Sequence, residues 1–212
     1  MKAFAVLLLS FSLVSGALWA APQEWKKVRE KDGVTVYVKE VGQLVAVRGE
    51  GHIEASMGKL LHVIEDSAHW KEWIDNFENG GLLEMKTPFH KVFYQSFDSP
   101  FPVKDRYLVY ESKTRRDAKN GRMYLEMRSV DHEKAPKRKG VRADLKYTRY
   151  EITPLPDGRL RVVFETLSDS KGALPKFLVN QVQRKYPVKL FQGLRRQVRK
   201  PHAKNAPLPP PQ

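Results

Sequence analysis

The feature that most constrains this chain is a succession of short alternating segments, several joined by two-residue turns, that is closed by one long amphipathic helix. Lys26 to Lys31, the pair Asp32-Gly33 and the alternation Val34, Val36, Val38 read as a hairpin, and Leu44 to Ile53 as a third strand. Ser56 then stands where an N-cap belongs, ahead of a helix with apolar positions Leu60, Leu61 and Ile64. Ser67 is expected to cap a second short helix carrying Trp70, Trp73 and Ile74, ended by Asn79-Gly80-Gly81. Six further strands follow, Leu82 to Thr87, Lys91 to Phe97, Tyr107 to Arg115, Arg122 to Val130, Tyr147 to Pro154 and Leu160 to Leu167. Asn120-Gly121 and Asp157-Gly158 mark tight turns among them, so these strands run antiparallel.

An antiparallel sheet with one apolar face needs a cover, and the last helix is the element long enough to supply it. Pro175 suits a first helical turn and the pattern runs to about Lys200, with a kink expected at Pro187. Tyr186, Leu190, Phe191, Leu194 and Val198 fall on one side of its later half, and Lys185, Lys189, Arg196 and Lys200 on the other. The class is therefore α+β, an antiparallel sheet covered by a long C-terminal helix, with two short helices after the third strand. Residues 201–212 read as a proline-rich disordered tail, extended and unpacked.

Ahead of the domain, Met1 and Lys2 precede an uncharged run from Ala3 to Val14 and the small residues Ser15, Gly16 and Ala17, the layout of a signal peptide. Residues 1–20 are assigned to it, with cleavage at Ala20/Ala21 or after Ala17; an uncleaved anchor is the alternative. An exported, periplasmic location is expected. The chain contains no cysteine, which excludes disulfides, thiolate chemistry and cysteine-ligated metal. Its formal charge of +14 is concentrated at the C-terminal end, because no Asp or Glu follows Asp169 while ten Lys and Arg do. A second basic group, Lys134, Lys137, Arg138, Lys139 and Arg142, lies in a stretch broken by Pro136 and Gly140 that reads as a loop. For an exported chain the anionic partner met first is a lipid surface rather than nucleic acid, and Lys185, Lys189, Arg196 and Lys200 are the candidate docking face; plain solvation of a helix face is the blander reading.

Catalytic patterns are lacking. The six histidines form neither His-x-x-x-His nor His-Glu-x-x-His, no metal site or cofactor is expected, and neither a phosphate loop nor Gly-x-Ser-x-Gly occurs. Asp66, His69 and Glu72 could share one helical neighbourhood, although surface polar side chains are the simpler account.

Four segments carry a resemblance: Lys31-Asp32-Gly33-Val34-Thr35-Val36-Tyr37, Trp70 to Asp75, Phe101-Pro102-Val103-Lys104-Asp105-Arg106 leading into Tyr107 to Glu111, and Leu174-Pro175-Lys176-Phe177-Leu178-Val179-Asn180. In this order they resemble the START (StAR-related lipid transfer) domain, over residues 24–200. The resemblance implies a helix-grip fold, in which a curved antiparallel sheet wraps around the long C-terminal helix and leaves a tunnel for one lipid-like molecule. It also implies a buried Arg paired with an acidic residue, and the position corresponding to that Arg is Ser112, a departure that leaves the polar anchor open.

From the residues themselves, Met123, Leu125 and Met127 share one strand face, as do Leu108, Tyr110 and Ser112, and Leu178 and Val182 lie one helical turn apart; these eight are the candidate lining, with plain core packing as the alternative. The expected function is non-enzymatic binding or transfer of a lipid or other hydrophobic molecule by a monomer. A helix-grip enzyme of cyclase or hydrolase type using the same cavity, and a membrane-docking adaptor, are the alternatives.

Overall fold

The computed structural model describes residues 24–137, 140–172 and 176–212, with the side chains of 176–183 outside that description. The signal-peptide assignment, Arg138, Lys139 and Pro175 also lie outside the described residues.

A single sheet of ten strands dominates: β1 (Lys26–Lys31), β2 (Val34–Val41), β3 (Leu44–Ile53), β4 (Phe77–Thr87), β5 (His90–Phe97), β6 (Arg106–Arg116), β7 (Met123–Ser129), β8 (Val141–Arg142), β9 (Asp144–Pro154) and β10 (Leu160–Asp169). The path is β1-β2-β3-β10-β9-β7-β6-β5-β4, antiparallel throughout, with the two-residue β8 pairing in parallel against β6. The first three strands thus join the last one, which closes the order around the sheet's middle. Helix α1 (Met57–Glu65) follows β3, and α2 (Lys176–Gln197) crosses the concave side. Among the described residues no helix is long and apolar enough to cross a membrane.

Local chemistry accounts for most boundaries. Asp32 and Gly33 both take positive φ, the conformation a tight two-residue hairpin requires. Ser56 caps α1 as expected, its Oγ accepting from the Lys59 N–H at 3.2 Å. The inward face of the sheet is read directly from the register: Val36 opposes Gly49, Gly49 opposes Phe164, Phe164 opposes Tyr150, and Tyr150 opposes Leu125. Glycine at 49 and 51 lets α2 lie close on β3, since a Cβ at Gly49 would stand 2.7 Å from the Pro187 Cβ and one at Gly51 3.0 Å from the Phe191 ring. Pro187 is therefore a packing residue as well as an interruption in the helical hydrogen bonding, and α2 continues through it as one element. Arg195 pins the helix to the first hairpin by donating to the backbone oxygens of Asp32 and His52 at 2.5 and 2.9 Å.

Three expectations are corrected. Where a second short helix capped by Ser67 was expected there is a single 3-10 turn, Trp70–Glu72, preceded by His69; Trp70 is held instead by its indole N–H donating to the Ile64 carbonyl at 2.9 Å. Asn79-Gly80-Gly81 does not end that element but lies inside β4, where Gly80 is required because a Cβ would meet both the Phe77 ring and the Tyr94 carbonyl at 2.8 Å. The tail is extended but packed. Its Ala206 N–H donates to the Gly58 carbonyl at 3.1 Å, Pro211 bridges Arg116, and Leu208 rests on the core. The absence of side chain at Gly58, where a Cβ would stand 2.6 Å from the Ala206 oxygen, is what admits it.

Candidate ligand-binding site

The concave face of the sheet is lined along β7 by Met123 and Leu125, both wholly buried, and by the partly buried Met127. Along β6 it is lined by the partly buried Leu108 and by Tyr110, Ser112 and Thr114. Pairing brings the two strands together, with Ser112 opposite Met127 and Thr114 opposite Leu125. Six of the eight expected lining residues thus form one continuous wall. Leu178 and Val182 are in α2, and their side chains are outside the described residues.

The wall is apolar except for a compact polar group. Ser112, at 1% exposure, and Thr114 have buried hydroxyls with no hydrogen-bond partner among the described residues. Two such orphans on adjacent inward positions are costly, since an unsatisfied buried hydroxyl costs about 1–3 kcal/mol. Beside them on β5, directly opposite Ser112, is Lys91, whose ammonium pairs with the Glu65 carboxylate at the C-terminal end of α1. This pair was not anticipated. Its signal in the sequence is a lysine in phase with Phe93 and Phe97 on one face of the strand; a charge buried there requires a partner. Where the resemblance implied an arginine at 112, the neighbouring strand places a cation instead.

The electrostatics follow from burial. Desolvation pushes the Glu65 carboxyl above its ordinary value even though the Lys91 ammonium opposes it. Burial likewise raises the Tyr110 and Tyr150 phenols well above 10 and pushes Tyr186 up to about 12. Tyr110 feels the charges of Tyr186 and Glu65, and Tyr150 those of Tyr186 and Tyr110, so the three phenols and the carboxyl form one electrostatic neighbourhood. Aromatic contacts frame it, with Phe93 to Tyr110 at 5.8 Å, Tyr150 to Phe164 at 5.1 Å and Phe164 to Tyr186 at 5.8 Å between ring centroids. Neutral phenols, lone hydroxyls and one ion pair can orient a polar group by hydrogen bonding. Each of these shifts favours the protonated form.

A second concavity, a groove of about 370 Å³, crosses the opposite face of the sheet. Its charges are largely paired: Arg48 donates to Glu165 at 2.7 Å and Arg161 to Glu50 at 2.9 Å, Arg149 lies 3.8 Å from Glu126, and Glu151 accepts from the neighbouring Arg122 at 3.0 Å. Lys185, Lys189 and Arg196 on α2 and Lys200 just beyond it are all exposed, and Lys189 is paired with Asp75 at 2.5 Å.

A curved antiparallel sheet closed over a C-terminal helix, with an apolar concave wall and a buried polar group upon it, defines the helix-grip class. The START domain family model matches residues 16–204, and the chain belongs to that family. It is 26% identical over 179 residues to an uncharacterized protein of Pseudomonas aeruginosa, covering 83% of this chain and 87% of that one. Human STARD10 superposes with a TM-score of 0.72 at 24% identity, over 87% of this chain and 83% of that one. A STAR-related lipid transfer protein from Xanthomonas axonopodis superposes with a TM-score of 0.68 at 24% identity, over 83% and 99%. The four segments that carried the resemblance all fall within the matched range.

Proposed function

We propose that this protein is an exported, periplasmic carrier that binds one lipid-like molecule between its sheet and α2, without chemistry upon it. The observation that carries the reading is the pair of orphaned hydroxyls, Ser112 and Thr114, set in an apolar wall beside the Lys91–Glu65 pair. A polar headgroup or a water it retains would satisfy those oxygens, while Met123, Leu125 and Met127 receive the hydrocarbon. A dozen methylenes removed from water contribute ~10 kcal/mol gross, enough to hold a lipid non-covalently. The Xanthomonas relative, named a STAR-related lipid transfer protein, supports the same ligand class.

The full chain, purified from its own host, is expected to carry one co-purified apolar molecule per protein in native mass spectrometry and in solvent extracts. Ser112→Ala should retain the fold but bind the extracted lipid several-fold more weakly, as loss of one hydrogen bond of about 1 kcal/mol requires. Protein that is empty when isolated and takes up no fluorescent lipid would sink the proposal.

A further inference from the structure

The segment that follows α2 is a strap with a fixed root and a lightly held span. At the root His202 lies flat on His69, ring centroids 3.6 Å apart, and its Nε2 donates to Gln197 Oε1 at 3.0 Å, while the buried Ala203 donates through its N–H to the Lys200 carbonyl at 3.0 Å. From His69, beyond the last turn of α1, the segment runs back to the first turn of that helix. There Asn205 meets the side chain of the capping Ser56, and the Ala206 N–H donates to the Gly58 carbonyl at 3.1 Å.

Residues 206–212 then cross from α1 to the sheet. The ladder between β5 and β6 starts at His90 opposite Lys113, and the Thr114 N–H donates to the Phe89 carbonyl, so past Thr114 no β5 residue is left to pair with β6. The strap fills that place. Pro211 bridges Arg116 in parallel, the Gln212 N–H donates to the Arg116 carbonyl at 2.9 Å, and the Ala118 N–H donates to the Gln212 carbonyl at 3.1 Å. Between the two anchors Leu208 packs on the core and Pro209 is buried. The span thus bridges from the start of α1 to the end of β6, where the hydroxyl of Thr114 has no partner among the described residues.

Little holds the span in place. It has three backbone hydrogen bonds, and Pro207, Pro210, Pro211 and Gln212 are exposed, whereas α1 buries Leu60, Leu61, Val63 and Ile64 and is tied to the wall by the Glu65–Lys91 pair. Segments with few buried apolar contacts open at far lower cost than the core they rest on. Prolines at 207, 209, 210 and 211 keep the detached span extended, which limits the entropy lost on reclosing. Resting on the carrier reading, we propose that residues 206–212 are a flap, hinged at Lys204 and Asn205, and that the bound molecule enters and leaves between α1 and β6 when the flap lifts.

The test uses the full chain, which has no cysteine of its own. Arg116→Cys with Pro211→Cys joins two bridge partners by a disulfide that locks the flap, with no other thiol to compete. Exchange of an NBD-labelled fatty acid between protein and vesicles is followed by stopped-flow fluorescence. Oxidation should slow it roughly 10-fold and reduction restore the wild-type rate. Gly58→Ala, which sets a Cβ 2.6 Å from the Ala206 oxygen, and deletion of 206–212 should each speed it several-fold in protein that is folded by circular dichroism. A wild type that takes up no probe overturns the carrier reading and the flap with it. A wild type that takes it up, but whose oxidised and reduced double-cysteine forms exchange it at one rate, overturns the flap alone.

Discussion

Lys91 and Glu65 illustrate what a single side chain costs on the concave wall. Both are largely buried, and burial has already raised the Glu65 carboxyl despite its partner. Lys91→Met leaves that carboxylate buried and unpaired, which should cost about 3–5 kcal/mol at neutral pH, read from urea unfolding. The sign of the pH dependence follows. A folded-state value above the ordinary 4.5 means the folded form holds its proton more tightly, so the penalty is full above the raised value and disappears as pH falls below 4.5. Replacing both residues, Lys91→Met with Glu65→Leu, should recover most of the loss; a double variant as unstable as the single one would show the pair is not the cause. Period-two alternation was enough to put Met123, Leu125 and Met127 on one face. It could not reveal the orphaned hydroxyls of Ser112 and Thr114, because satisfaction is a property of neighbours drawn from other strands.

At the scale of elements, short-range signals worked where the backbone itself imposes them. Asp32-Gly33 made its turn and Ser56 its cap, since each depends only on residues a few positions away. The Asn79-Gly80-Gly81 cluster misled for the opposite reason: its glycine serves the Phe77 ring and the Tyr94 carbonyl across the sheet, not a turn. The proline-rich tail misled likewise, because its prolines dictate an extended shape but the docking surface on α1 and β6 is assembled by the fold. Deleting residues 206–212 removes the hydrogen bond to Gly58, the bridge to Arg116 and the cover that Leu208 gives the core. A loss of about 1–2 kcal/mol and a fall of several degrees in Tm are expected in a thermal melt. A melt identical to that of the full chain would mean the segment does not stay docked in solution.

Over the whole molecule, charge is the clearest asymmetry. Ten basic residues follow the last acidic one, and although Lys189 is paired with Asp75 and Arg199 with Glu54, Lys185, Arg196 and Lys200 have no ion pair among the described residues. At ~1 kcal/mol per basic residue near an anionic bilayer, this is the face proposed to dock on a membrane. Reversing the charge of Lys185, Lys189, Arg196 and Lys200 together should abolish sedimentation with phosphatidylglycerol vesicles at physiological salt while leaving lipid content unchanged. Binding that survives the reversal would exclude this face as the docking surface.

The alternation of apolar residues, the turn dipeptides and one amphipathic helix were by themselves sufficient to determine the α+β class and the cover of the sheet by its last helix, because each is a local rule repeated along the chain. Which strands became neighbours across the join of β3 to β10, which lysine met which carboxylate, and how His202 came to lie on His69 were decided only by tertiary structure. Those are long-range pairings whose energies depend on burial and distance, and neither quantity exists until the chain has folded.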